Sequence, residues 1–439
     1  MNAKILATCI LLACSIASAV APAQSRYFTL QKRSGVWWFV DPSGKLMISA
    51  GVDQMSYRPD VIRGTRTDPY LENVSKIYPN ETAWAVAALA RLRRWDFNTI
   101  GAWSDADLWS RGTPYTVILN IAGHAGADWQ RGIPVDVYDP KFQKTATEIA
   151  NRECGPRVND PDLLGYFSDN ELRWGPDWRG KQNMLAMYLA LPSSAPGHQH
   201  AVKFLKKKYA GKISNLNRAW NVHAPSFNRL PTQAATGAYQ GDSLDFLSQM
   251  AERYFEVCAR AIHQADPHHL YLGARIAGNP PDPVFRAARR ADAVSINIYR
   301  FDPRSLVEHV YELTQKPVLI TEFAFRAENS GLPNTQGAGP KAPDQAARAK
   351  AYRDYVTWLE GLPEAVGYHW FKWCDEPKQG RFDGENSNYG LVNIKDKPYR
   401  EFIEAVKTAN QEAVKVHENS AKAAADERTR NAAPPQDGR

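Results

Sequence analysis

Leu163-Leu164-Gly165-Tyr166-Phe167-Ser168-Asp169-Asn170-Glu171 passes from an apolar run to a polar cluster ending in a carboxylate. The first five residues are short, apolar and aromatic, which reads as a buried strand. The polar residues stand where such a strand would emerge. A second stretch repeats the pattern: Pro317-Val318-Leu319-Ile320-Thr321 runs into Glu322, with Phe323-Ala324-Phe325 beyond. A carboxylate in such apolar company is paired or functional, because an unpaired buried charge is costly.

Working outward, similar short runs recur along the chain. Val36–Val40 and Leu46–Val52 flank the turn sequence Asp41-Pro42-Ser43-Gly44, predicting a hairpin that leads into a first strand. Further strands are predicted at Phe97–Trp103, Tyr115–Ile121, Leu163–Phe167, Leu270–Ile276, Ala293–Ile298, Pro317–Thr321 and Ala365–Trp370. Between them lie helical patterns. Trp84, Ala88, Leu89, Leu92 and Trp95 mark one helix, and Leu244, Leu247, Ala251, Tyr254, Phe255, Cys258 and Ile262 mark a strongly amphipathic one. Another is predicted near Ser305–Leu313, and Asp344 can cap one running to about Leu362. Eight strands alternating with helices predict an α/β fold, a (β/α)8 TIM barrel with long βα loops and a short N-terminal β-hairpin. No glycine-rich phosphate loop follows any strand, which disfavours a nucleotide-binding sheet.

The ends read differently. Residues 1–23 have a basic Lys4, an apolar stretch Ile5–Ala13 and small-residue cleavage sites at Ala17-Ser18-Ala19 and Ala21-Pro22-Ala23, the pattern of an export signal. Leu11-Leu12-Ala13-Cys14 is a rival lipoprotein box. The expected destination is therefore secretion or the periplasm, with anchoring through Cys14 as the alternative. Residues 24–410 are assigned to the barrel, and 411–439 to a helical extension with a disordered tail from about Asn419.

The chain has 439 residues, 44% of them hydrophobic and 11% aromatic, enough to bury a large core, so global disorder is excluded. The formal charge of +7 raises nucleic acid as a partner, but neither a clustered basic face nor a basic–aromatic motif is present. No apolar run is long enough to cross a membrane. With Cys9 and Cys14 in the signal, Cys154, Cys258 and Cys374 allow at most one disulfide, of undetermined pairing. His198, His200, His268 and His269 lack the spacing of a metal site and read as solvated residues; no metal or cofactor is expected. The sequence leaves the oligomeric state open.

Function in such a barrel sits at the C-terminal strand ends. Glu171 and Glu322, arriving from two different strands, suit cleavage of a glycosidic bond, where one carboxyl protonates the leaving oxygen and the other attacks the sugar or activates water. Asp53, Trp103, His124 and Arg275 follow other strands and are candidates for the mouth. Trp174 in the long segment after Glu171, and Trp373 and Asn386 after the last strand, are candidate sugar contacts, since indole faces stack on sugars. Asp169, alternating with Asn170, reads as structural.

The phrase Gly165-Tyr166-Phe167-Ser168-Asp169-Asn170-Glu171-Leu172-Arg173-Trp174-Gly175, with Glu322, resembles clan A retaining glycoside hydrolases, in particular the β-agarases of glycoside hydrolase family 50 and more loosely the family 42 β-galactosidases. Val135-Asp136-Val137-Tyr138-Asp139-Pro140, Gly273-Ala274-Arg275 and Asp383-Gly384-Glu385-Asn386 add to the resemblance, which covers roughly residues 35–405. It implies a retaining β-glycoside hydrolase acting on β-galactosidic, agar-like chains, with Glu171 as acid/base and Glu322 as nucleophile. Asn170 would bind the sugar 2-hydroxyl, Tyr299 would hydrogen-bond the nucleophile, and Trp370 would floor the sugar subsite. A retaining enzyme would hold the two carboxyls about 5–5.5 Å apart. An exo-β-glycosidase of another sugar specificity and an inactive carbohydrate-binding barrel are the alternatives.

Overall fold

The computed structural model describes residues 25–432. Residues 1–23, read above as an export signal, with Cys14 among them, and residues 433–439 lie outside the described residues. Near the start, Thr29–Arg33, Val36–Val40 and Leu46–Met47 form a three-stranded antiparallel sheet. The expected hairpin is its second and third strands. Thr29–Arg33 went unread because Gln31, Lys32 and Arg33 break the apolar pattern.

The main sheet has nine parallel strands: β1 (Ser49–Val52), β2 (Thr99–Ile100), β3 (Tyr115–Ile118), β4 (Leu163–Phe167), β5 (Leu270–Tyr271), β6 (Ile276–Ala277), β7 (Val294–Asn297), β8 (Val318–Phe323) and β9 (Ala365–Trp370). Their order is β5-β4-β3-β2-β1-β9-β8-β7-β6. Every run predicted as a strand is present, and the run Leu270–Ile276 is divided into β5 and β6. The division falls at Gly273 and Arg275, which have φ of +94° and +45°. A side chain at Gly273 would meet Ser295 Oγ at 2.9 Å, so glycine is required on space as well as on conformation. The two edges of the sheet are thus consecutive pieces of one stretch. Leu272 N–H donates to Tyr166 O, while Arg275 N–H donates to Ser295 Oγ on the other side.

Helices cover the outer face. Glu81–Arg94 starts on Asn80, whose side chain accepts from Ala83 N–H, and Gln345–Glu360 starts on Asp344, which accepts from Ala347 N–H. Gly237–Ala265 is the long amphipathic helix, and Arg304–Thr314 precedes β8. Side chains alternate across each strand. Leu164, Leu272, Leu319 and Val366 gather on the inner face with Phe28, Phe39 and Met47 of the N-terminal sheet, which closes one end. Val318, Ile320, Tyr368 and Trp370 pack outward with the helices.

The last helix, Arg400–Ala432, runs unbroken through residue 411 and through Asn419, where disorder was expected. Ala413, His417 and Ser420 form a buried stripe on it, and His417 contacts Trp37 O through Nε2 at 2.8 Å. An Ala-rich, charge-rich composition masked this docking face. Cys154, Cys258 and Cys374 are buried and unpaired. Among the described residues, no helix is long and apolar enough to cross a membrane.

Candidate active site

Glu171 follows β4 and Glu322 lies near the end of β8, and both line one cavity of about 570 Å³. Local backbone features aim each of them. In β8, Val318 and Ile320 face the helices, so strict alternation would turn residue 322 outward as well. Instead, Ile296 pairs with Ile320 and Asn297 with Glu322, which leaves Thr321 as the extra residue of a bulge. The bulge turns Glu322 into the cavity. Glu171 has φ of +49°, in the left-handed region, and its N–H donates to Arg275 O at 3.1 Å. Arg179 Nη1 donates to the Glu171 carbonyl at 3.0 Å, so that kink is held from both sides.

The two carboxyls have different surroundings. Glu322 is buried, and its Oε1 accepts from Arg275 Nη2 at 2.5 Å while its Oε2 accepts from Tyr299 OH at 2.6 Å. The Tyr299 phenol is held well above its usual range by burial and by the negative charge of Glu322. Glu171 accepts one hydrogen bond, from Asn297 Nδ2 at 2.9 Å. Burial, then the charge of Glu322, pushes its carboxyl up to about 7. One carboxyl is thus solvated by fixed donors, and the other is biased towards holding its proton.

Arg275 organises the floor. Its Nη2 also donates to Asp53 Oδ2 at 2.9 Å, its Nε donates to Asn170 Oδ1 at 3.0 Å, and Trp103 lies against its guanidinium at 4.3 Å. Asn170 Oδ1 also accepts from Asn297 Nδ2 at 3.2 Å. Asp53 accepts from Ala102 N–H at 2.9 Å, and a side chain at Gly101 would come within 2.0 Å of its Oδ1. Burial pushes the Asp53 carboxyl up to about 7 despite Arg275, which it shares with Glu322. His369 lies on the same face. Its Nε2 is 2.9 Å from Ser49 Oγ, and burial followed by the charge of Arg275 lowers it to about 3.

The structure thus brings Glu171, Glu322, Asn170, Tyr299 and Trp103 to the cavity wall, with Arg275 and Asp53 buried behind it. The other sequence candidates lie elsewhere. Trp370 is fully buried against Phe323, Tyr352 and Phe402, because alternation places it with Tyr368 on the helix side and turns His369 inward. Its neighbour Phe371 reaches the cavity instead. Trp373 is buried against Trp95, with its indole N–H donating to Tyr70 OH at 3.0 Å. Trp174 is buried and stacks on Phe255, and it borders a separate pocket with Trp178 and Arg179 rather than the cavity of the two carboxyls. His124 is exposed at the end of a single helical turn, Ile121–His124, off the cavity wall. Asn386 accepts from the N–H groups of Thr335 and Gln336, holding a loop rather than facing the first cavity. Asp169 is structural as read: it is buried and accepts from Ala122 N–H at 2.8 Å and from Tyr254 OH at 2.5 Å. His269 is not solvated, because its Nδ1 pairs with Asp266 at 2.7 Å.

Asn297 escaped the sequence reading because it lies inside the predicted run Ala293–Ile298, whereas the structure ends β7 on it. Trp129, Gln54, Arg381 and Glu385 also line the cavity from loops that carry no periodic signal. Among the described residues, no group of three or more His, Cys, Asp or Glu side chains could hold a metal ion.

No protein-family model matches the chain. It is 29% identical over 451 residues to β-agarase A of Vibrio sp. (strain JT0107), covering 86% of this chain and 44% of that protein. It is 32% identical over 352 residues to β-agarase B of the same strain, covering 76% of this chain and 36% of that protein. A solved exo-β-agarase superposes with a TM-score of 0.79 at 26% identity, over 90% of this chain and 66% of that one. The chain spans less than half the length of the two curated relatives. Its similarity to the β-agarases of glycoside hydrolase family 50, expected from the residues around Glu171, is therefore seen in sequence and in structure.

Proposed function

From that likeness we propose that the chain is a glycoside hydrolase that cleaves β-galactosidic, agar-like poly- or oligosaccharides by double displacement, on a (β/α)8 barrel. Support for the closed barrel comes from β5 and β6, the two edges of the sheet, being pieces of one stretch. The observation that carries the function is the pair Glu171 and Glu322: two strand-end carboxyls on one cavity, one held by Arg275 and Tyr299 and the other raised to about 7.

In this reading Glu322 attacks the anomeric carbon while protonated Glu171 gives its proton to the glycosidic oxygen, so the C–O bond breaks and a glycosyl ester forms. Glu171, now a carboxylate, takes a proton from water. That water attacks the same carbon and releases Glu322. Arg275 and Tyr299 hold Glu322 aimed at that carbon. Asn297 orients Glu171, and Asn170 is placed for the sugar 2-hydroxyl. Trp103 and Phe371 offer faces to the ring. The chemistry requires no metal.

The test is product analysis by NMR during digestion of agar and related galactans. Retention of the anomeric configuration is expected, with Glu322→Gln inactive and Glu171→Gln severely impaired on these galactans. Inversion, or full activity in either variant, overturns the assignment. For residues 1–23 we propose an export signal, checked by the N-terminal sequence of the protein recovered from the periplasm or medium.

A further inference from the structure

The cavity does not end at the two carboxylates. A second compartment, of about 520 Å³, shares Trp129, Glu171, Tyr299, Ala338 and Glu385 with the first. A third, of about 610 Å³, shares Trp178, Ala277 and Gly278 with the second. The three adjoin in a row along these shared walls, a segmented trough whose parts are each within the size of a small-molecule site.

The carboxylates give this trough a direction, on the roles assigned to them under the proposed function. Glu322 lines the first compartment and is absent from the wall of the second, whereas Glu171 lines both. The nucleophile must face the anomeric carbon of the sugar that becomes esterified, so that sugar occupies the first compartment. The acid must reach the oxygen between this sugar and its leaving group, so Glu171 belongs at the boundary. The second and third compartments then lie on the leaving-group side.

Trp178 stands between those two compartments with 61% of its surface exposed, unusual for a large apolar side chain. It is not loose. The Arg179 guanidinium sits 4.2 Å from its ring, and Trp129 approaches it edge-on at 6.5 Å. Arg179 is itself buried. It is paired with Asp177 at 2.6 Å and donates to the carbonyls of Trp129 at 3.1 Å and Glu171 at 3.0 Å. A buried cation thus braces the indole against the same backbone that positions the acid. Beyond it, Asn279, Asp282 and His309 supply polar groups among Pro280 and Pro281.

The geometry points to a distal subsite built on Trp178 that binds the reducing-end part of an uncharged galactan chain, past the residue that accepts the proton from Glu171. An uncharged chain fits because the acidic side chains of the two compartments already have cations of this chain: Asp177 pairs with Arg179, Asp383 and Glu385 with Arg381, and Asp282 with Arg286. Stacking on a braced indole favours sugar rings at little entropic cost.

The experiment compares wild type with Trp178→Ala on two substrate sets. One is a ladder of neutral agar-derived oligosaccharides. The other is aryl glycosides, whose leaving group ends in the second compartment. The expected result is a kcat/KM that rises with chain length in the wild type, and a variant that loses about tenfold on the longest oligosaccharides and far less on the aryl glycosides. Equal loss on both sets, or no loss on either, overturns the distal subsite and leaves the hydrolase reading standing. Wild type that hydrolyses neither set removes the hydrolase reading, and the subsite with it. Circular dichroism and the melting temperature confirm that the variant is folded; the exposed position of Trp178 makes unfolding unexpected.

Discussion

Arg275 Nη2 lies 2.5 Å from Glu322 Oε1, with none of the arginine side chain exposed to solvent. The same nitrogen reaches Asp53 Oδ2 at 2.9 Å, so one buried cation serves two buried carboxyls. Removing a partner from such a network leaves uncompensated charge. Arg275→Met is expected to destabilise the fold by about 3–5 kcal/mol, measured by urea denaturation. Asp53→Asn removes one of the two carboxyls that hold the Arg275 guanidinium and should lower kcat on agar oligosaccharides, because the cation that aims Glu322 is less well fixed. An unchanged kcat in Asp53→Asn would mean that Asp53 does not act through Arg275.

The alkaline limb should belong to Glu171. Its carboxyl is raised to about 7, so the proton donor is lost as pH climbs through that value and kcat/KM should fall there. Glu171→Gln removes the limb and lowers activity on substrates with poor leaving groups by roughly 10²–10⁴-fold. An aryl glycoside with an acidic leaving group needs less protonation and should lose less. A pH profile of the variant that keeps its alkaline limb near 7 would assign that limb elsewhere.

Tyr299→Phe removes the hydrogen bond to Glu322 Oε2 and keeps the ring. A hydrogen bond to a charged group contributes about 1.5–3 kcal/mol, so kcat should fall by about 10- to 100-fold with little change in melting temperature.

Trp370 and Phe371 are adjacent and should separate cleanly. Trp370→Ala empties a fully buried site and is expected to cost about 3–5 kcal/mol in denaturant titration, while the protein that remains folded keeps its KM. Phe371→Ala, at the cavity wall, should raise KM with a much smaller stability loss. The reverse pattern would restore the floor of the sugar subsite to Trp370.

Asp169 provides a stability test. Burial raises its carboxyl to about 7, above the value of an unfolded chain. The native state therefore holds a proton that the unfolded state has released between about pH 4 and 7, and stability from this group is lost as pH rises through that window. Asp169→Asn cannot titrate, so the difference in melting temperature between variant and wild type should move in the variant's favour from pH 5 to pH 8. A difference that is constant with pH would refute the raised carboxyl.

Much of this molecule was legible in its sequence. The eight apolar runs all contain strands, and Asp344 caps the helix that follows it, because both features are set by local pattern and local hydrogen bonding. Glu171 and Glu322 were found because carboxylates beside apolar strand ends are rare without a reason. Trp370 was misplaced because the choice of face depends on strand register, and a one-residue shift exchanges the inner and outer sets. Trp373 and His124 were chosen by residue type, and type does not tell a packed indole from a braced and exposed one.

The sequence by itself determined the periodic elements, the family resemblance and the two carboxyls, all of which follow from short-range pattern. The tertiary structure alone decided which way those side chains face. The bulge at Thr321 turns Glu322 inward, the left-handed backbone of Arg275 splits a strand and brings a guanidinium to that carboxyl, and Asn297 reaches from the end of β7 to Glu171 beyond β4. These contacts join residues far apart in the chain, and their energies come from burial and mutual solvation that exist only once the sheet has formed.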